Sequence, residues 1–108
     1  MSITDADEAR VVELILRDVI ATLGDGHEKT VRHYAQWARE YASDWNEYVD
    51  RVVEQVQEEI HDLFIDTVWP QCPLHPHHPL WLHIDHWACA TDKVDIAALG
   101  TLSRNAAQ

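Results

Sequence analysis

The sequence predicts a mostly α-helical fold: an antiparallel helical hairpin with a long second helix, and a small ribbon-like β-hairpin at the C-terminus. Three observations predict it. Apolar residues recur at spacings of three and four through the first two thirds of the chain. From His27 to about Thr67 there is neither glycine nor proline. From Trp69 to Asp92 the composition changes: this stretch holds both cysteines, all four prolines, five of the eight histidines and three of the five tryptophans. A chain of 108 residues is one domain, or one domain with an appendage. It divides into an acidic helical hairpin, 1–68, and a tail, 69–108, expected to pack on the distal end of the second helix.

The first helix begins at Thr4 or Asp5, either of which can cap it, with Asp7 and Glu8 near the positive end of the helix dipole. Val12, Ile15, Leu16, Val19, Ile20 and Leu23 form the expected inward face, leaving Arg10, Glu13, Arg17 and Asp18 mostly outward. Gly24-Asp25-Gly26 ends the helix, because glycine accepts the left-handed conformation found there. In the second helix Val31, Tyr34, Ala38, Tyr41, Trp45, Tyr48 and Val52 draw one seam, and the apolar set then shifts to Val49, Val53, Val56, Ile60, Leu63 and Phe64. Continuous, this helix would span about 60 Å, and the first helix, at about 30 Å, would cover half of it. The remainder needs the tail or a second copy of the chain. A rival reading breaks the helix at Ser43-Asp44, where Asp44 and Glu47 can form a capping box; continuity is the favoured expectation.

Pro70 and Pro73 stop the second helix, and the chain runs extended to Pro79. Leu80–Ile84 reads as a strand, Asp85-His86 as a tight turn into Trp87-Ala88-Cys89, and Thr91–Lys93 as a second turn. A short strand follows at Val94–Ala97, and the residues after about Leu102 read as a frayed end.

Charge narrows the function classes. The net charge is −11, with 16 acids against 6 bases in residues 1–66 and 3 against 2 afterwards. Binding to a phosphate backbone needs clustered lysine and arginine, so direct nucleic-acid binding is not expected. The N-terminal MSITDADEAR has neither a basic nor an apolar leader region, and no apolar run approaches a membrane span. A cytoplasmic chain follows from this, with its cysteines reduced or metal-bound rather than joined as Cys72–Cys89.

The chemistry concentrates in the tail. A structural zinc ion takes four tetrahedral ligands from thiolate and imidazole, sometimes carboxylate. Cys72-x-x-His75 has the spacing that lets two side chains of one tight turn reach a single ion, and Cys89 returns after an interval long enough for a hairpin. The fourth ligand is open: His78 ranks first, then Asp92, which would form Cys89-x-x-Asp92, then His86, which would form His86-x-x-Cys89. His77 and His83 are expected to face solvent or pack beside tryptophan.

The residues CPLHPHHPLW, followed by WAC and DIAALGTL, resemble a recurring tail of small uncharacterised bacterial proteins with a helical N-terminal part and a degenerate zinc-ribbon-like end. The resemblance covers about the last third of the chain. It implies Cys72, His75 and Cys89 as ligands with His78 as the fourth, and it brings no assigned activity. This chain departs from an ordinary ribbon in lacking a second Cys-x-x-Cys knuckle and a glycine-bearing turn.

The leading expectation is a non-enzymatic, zinc-binding interaction or adaptor protein that engages a protein partner, or itself, through the aromatic seam or the acidic helix face. An acidic inhibitor of a basic partner, as a nucleic-acid mimic or immunity-type protein, is the alternative. A small zinc-dependent enzyme is the second alternative, with Asp85 or Asp92 as base. No HExxH or HxE…PCxxC pattern, phosphate-cradling glycine loop or recognisable nucleophile setting is present.

Overall fold

A computed structural model describes residues 3–63, 68–75 and 77–102. Three helices, α1 (Asp5–Leu23), α2 (Glu28–Ala38) and α3 (Trp45–Leu63), precede three strands, β1 (Trp81–His83), β2 (His86–Cys89) and β3 (Val94–Ala98). The strands form one antiparallel sheet in the order β1-β2-β3. The fold is therefore mostly α with a small sheet.

Thr4 starts α1 with a reciprocal capping box. Its hydroxyl accepts the Asp7 N–H at 3.1 Å, and its own N–H donates to the Asp7 carboxylate at 2.9 Å. Gly24 closes the helix at φ 90°, its N–H donating to the Val19 and Ile20 carbonyls. The inward stripe differs from the expected one. Val11, Val12, Ile15, Asp18 and Val19 are buried, whereas Ile20 is 48% exposed. Asp18 follows Ile15 by three residues and Val11 by seven, so it lies on the same face as both. A carboxylate thus occupies a core position that periodicity would assign to an apolar side chain.

The second helix is not continuous; it is two helices, and the break lies at 39–44. At the end of α2 the Arg39 side chain reaches α1, bonding Asp5 at 2.8 Å, Glu8 at 3.0 Å and the Ile3 carbonyl at 2.9 Å. The amides of Arg39, Glu40 and Tyr41 tighten to carbonyls three residues back, a geometry that ends helices. Asp44 then opens α3 by accepting the Glu47 N–H at 2.9 Å, while Glu47 accepts from Ser43 at 3.0 Å. With the chain folded back here, α3 packs on α2, and the Tyr48 hydroxyl donates to the Ala35 carbonyl at 2.6 Å. The cover that a long helix would lack comes from its own two halves. Phe64 and Thr67, expected in this helix, lie outside the described residues, as does the end from 103 onward.

The aromatic seam divides with the helix. Tyr48 is fully buried and Tyr34 half-buried, whereas Trp37 and Tyr41, 4.8 Å apart, stay exposed.

The β1–β2 turn is also shifted by one residue from the expected Asp85-His86. The register pairs His83 with His86, so Ile84-Asp85 makes the turn, at φ 45° and 64°. Two central residues with positive φ match the twist of a hairpin, although asparagine and glycine are the usual occupants. Asp85 accepts the Trp45 indole N–H at 3.0 Å, which fixes the turn against the start of α3. The third strand, β3, joins β2 with an irregularity at Trp87/Ala88, so the tail is a three-stranded sheet rather than a hairpin alone.

Helices and sheet share one core. Val11, Ile15, Val31, Val52 and Ile60 belong to the same buried cluster as Trp69, Leu80, Trp87 and Leu99. The carboxylate of Asp18 joins the two parts: one oxygen accepts the Trp87 indole N–H at 2.6 Å and the Gly100 N–H at 2.8 Å, the other the Leu102 N–H at 2.8 Å.

Candidate metal centre

The segment after α3 folds back on itself. Its ends are joined by the Leu80 N–H on the Pro70 carbonyl at 2.7 Å, by a bridge between Gln71 and Pro79, and by the Cys72 N–H on the His78 carbonyl at 3.2 Å. At the tip the His78 N–H donates to the His75 carbonyl at 2.9 Å. Four of the ten residues 70–79 are prolines and supply no N–H, which leaves the loop six backbone donors. That turn carries His75 outward.

Cys89 reaches the same place from the sheet. It is the last residue of β2, and the chain turns at once. The Lys93 N–H returns to the Cys89 carbonyl at 2.8 Å, and the Asp92 N–H points at the Cys89 sulfur at 3.3 Å. A backbone N–H aimed at sulfur complements the negative charge of a metal-bound thiolate. Lys93 takes φ 57° to complete the turn.

One ligand atom from each of His75, Cys89 and Asp92 lies within 4.8 Å of the others. His75 Nε2 and Asp92 Oδ2 are 3.1 Å apart. Ligands of one tetrahedral zinc ion stand about 3.3–3.8 Å from one another. His75 and Asp92 are in hydrogen-bond contact and would part slightly to share an ion, while any separation near the 4.8 Å limit would have to close by about 1 Å. Cys89 is buried, His75 is partly exposed and Asp92 is exposed, so the group opens toward solvent on its carboxylate side.

Of the residues singled out from sequence, His75 and Cys89 converge, and Asp92 joins them. Cys72 is buried in the core cluster and does not belong to this group. His78 is also outside it, its ring centroid 6.1 Å from that of His75. His86 lies at the opposite end of β2 from Cys89, with Nδ1 3.1 Å from the Ile84 carbonyl oxygen. Both cysteines are free thiols. His77 is exposed, and His83 stacks beside Trp81 at 6.5 Å.

The support beneath this group was not evident in the sequence. Trp87, two residues before Cys89, is fully buried and held by Asp18; Trp69 packs edge-on against it at 5.6 Å. Thr22, one turn beyond Asp18, accepts the Trp69 indole N–H at 2.8 Å and donates to the Asp18 carbonyl at 2.6 Å. One turn of α1 therefore bonds both tryptophans, and Trp87 belongs to the strand that presents Cys89. Burial pushes the Asp18 carboxyl above its usual range, and the three N–H donors partly oppose that rise. The single sequence signal was its three-residue spacing from Ile15.

No family model, no curated protein and no solved structure matches this chain.

Proposed function

We propose that this chain is a small, non-enzymatic zinc-binding protein whose ion ties its proline-rich tail together, and whose work is to engage a protein partner. The observation that carries this reading is the convergence of His75, Cys89 and Asp92, with the Asp92 N–H directed at the Cys89 sulfur. Imidazole, thiolate and carboxylate together suit zinc better than calcium or magnesium, which take oxygen ligands. Four prolines deprive the loop 70–79 of backbone donors, so an ion joining His75 to the end of β2 would stabilise it directly. Cys72 and His78 are the candidates for the fourth position that their sequence spacing from His75 suggests.

The exposure of Asp92 favours one further reading, a zinc site with an exchangeable position and hence a small enzyme. Cobalt substitution separates the two. Four protein ligands give an intense tetrahedral visible spectrum that azide leaves unchanged, and an open position gives one that azide shifts.

The direct test is metal analysis of the purified protein and its variants. One zinc per chain is expected, lost in Cys89→Ser and His75→Ala and weakened in Asp92→Asn. Cys72→Ser and His78→Ala then identify the fourth ligand as whichever substitution alters the cobalt spectrum. Full zinc occupancy in Cys89→Ser would overturn the proposal.

A further inference from the structure

Acids on α3 stand apart from those on the other helices. Asp50, Glu54, Glu58 and Asp62 follow one another at four-residue intervals, which places four carboxylates in one ridge about 18 Å long. Like charges at this spacing destabilise a helix. On the other helices four acids are paired with arginine: Glu13 with Arg10 and Arg17, Glu28 with Arg32, Asp5 and Glu8 with Arg39. No ion pair among the described residues includes any of the four on the ridge. Burial, and then the nearby Glu54, hold the Asp50 carboxyl above its usual range, which is consistent with that crowding.

The ridge borders a groove. Two adjoining cavities, of about 570 and about 360 Å³, run between α3 and β1 and share Glu54, Gln57 and Trp81. Gln57 closes the floor, donating to the Leu80 carbonyl at 2.8 Å and the Trp69 carbonyl at 3.3 Å. Trp81 is 52% exposed. One wall is thus a row of carboxylates and the other an apolar aromatic face.

We propose that this groove docks an extended segment of a basic protein partner, with lysine or arginine side chains on the Asp50–Glu54–Glu58–Asp62 ridge and an apolar side chain against Trp81. The segment would be about five or six residues long, from the length of the ridge and the rise of an extended chain. Charge selects this occupant. Guanidinium and ammonium groups relieve the repulsion along the ridge, and the aromatic face favours a cation or an alkyl stem beside it. A second copy would bring another carboxylate ridge on a chain of net charge −11, so self-association through this face is opposed. The inference rests on the reading of the chain as an interaction protein and names its surface and partner chemistry. None of the groove residues named is in the converging metal group, so zinc content and docking are read separately.

The test uses zinc-loaded, full-length protein and a fluorescein-labelled six-residue peptide alternating lysine and leucine, followed by anisotropy. Binding is expected, and it should weaken steeply between about 50 and about 300 mM salt. The Glu54→Gln/Glu58→Gln double variant should weaken it about tenfold or more, and Trp81→Ala about fivefold. Asp25→Asn/Glu40→Gln removes the same charge away from the groove and should change affinity less than about twofold. The peptide with glutamate in place of lysine should not bind. No binding, or equal losses in the two double variants, would overturn the proposal. So would a dimer in sedimentation that Trp81→Ala dissociates, because a second copy would then fill the groove. Circular dichroism checks that each variant folds, and zinc lost with docking intact would sink the metal reading alone.

Discussion

Replacing Asp18 by alanine should destabilise the protein more than any single surface change. The carboxylate is fully buried and accepts three N–H groups, two of them from the main chain. Alanine removes the acceptor, while the donors of Trp87, Gly100 and Leu102 stay in place. An unsatisfied buried donor costs about 1–3 kcal/mol, and the alanine variant leaves three of them. Relief from burying the charge offsets part of this, so a net loss near 3 kcal/mol is expected. Against the roughly 5–15 kcal/mol that holds a domain together, that is a large share. Urea denaturation followed by tryptophan fluorescence measures it, with zinc bound and after chelation. Asparagine keeps one acceptor oxygen but turns an NH2 toward a donor, and about 2 kcal/mol should be lost. A loss under about 1 kcal/mol in the alanine variant would refute the reasoning, because the donors would then have found other partners.

Acidity tests the same residue. Its folded carboxyl lies above the ordinary value, so its contribution is fully present below the unfolded pKa and lost as pH rises through the folded one. The stability difference between the wild type and Asp18→Asn should therefore move in favour of the wild type as pH falls; the opposite slope would mean that the three N–H donors outweigh burial. Ile84→Asn should stabilise the fold by about 1 kcal/mol, because a β-branched residue at positive φ is strained and this side chain is exposed; unchanged urea midpoints would contradict this. Gly100→Ala should cost about 1–3 kcal/mol, since Gly100 has φ 91° and an added Cβ would sit 2.7 Å from Leu14 Cδ2, and thermal unfolding reads it. Chelation should lower the melting temperature and speed proteolysis within 70–79, while leaving the far-ultraviolet helix signal largely intact.

Legibility varied with how local the determining physics was. The start of α1 at Thr4 and its end at Gly24 follow from caps, which depend on a few adjacent residues. The helical break at 39–44 was harder to read. Asp44 and Glu47 carry a local signal for it, but the Arg39 side chain at the break bonds Asp5 and Glu8, more than thirty residues away. Periodicity placed Asp18 outside because it treats a carboxylate as solvent-seeking. The structure buries it because donors from Trp87, Gly100 and Leu102 converge there, a long-range arrangement that no local pattern carries. The hairpin turn fell one residue early because Ile84 lacks the chemistry that marks such turns, and the Asp85–Trp45 bond holds the register instead. In the tail, the spacing of Cys72, His75 and Cys89 named two of the three residues that converge, His75 and Cys89. The side chains that actually converge depend on how β2 ends, which brings Asp92 rather than Cys72 or His78 beside His75 and Cys89.

Zinc K-edge X-ray absorption on protein loaded with one equivalent of the metal tests the central claim most directly. A four-coordinate ion is expected, with at least one sulfur at about 2.3 Å and nitrogen or oxygen at about 2.0–2.1 Å, and the sulfur shell should be lost in Cys89→Ser. A shell of nitrogen and oxygen alone, or no stoichiometric zinc to measure, would contradict it.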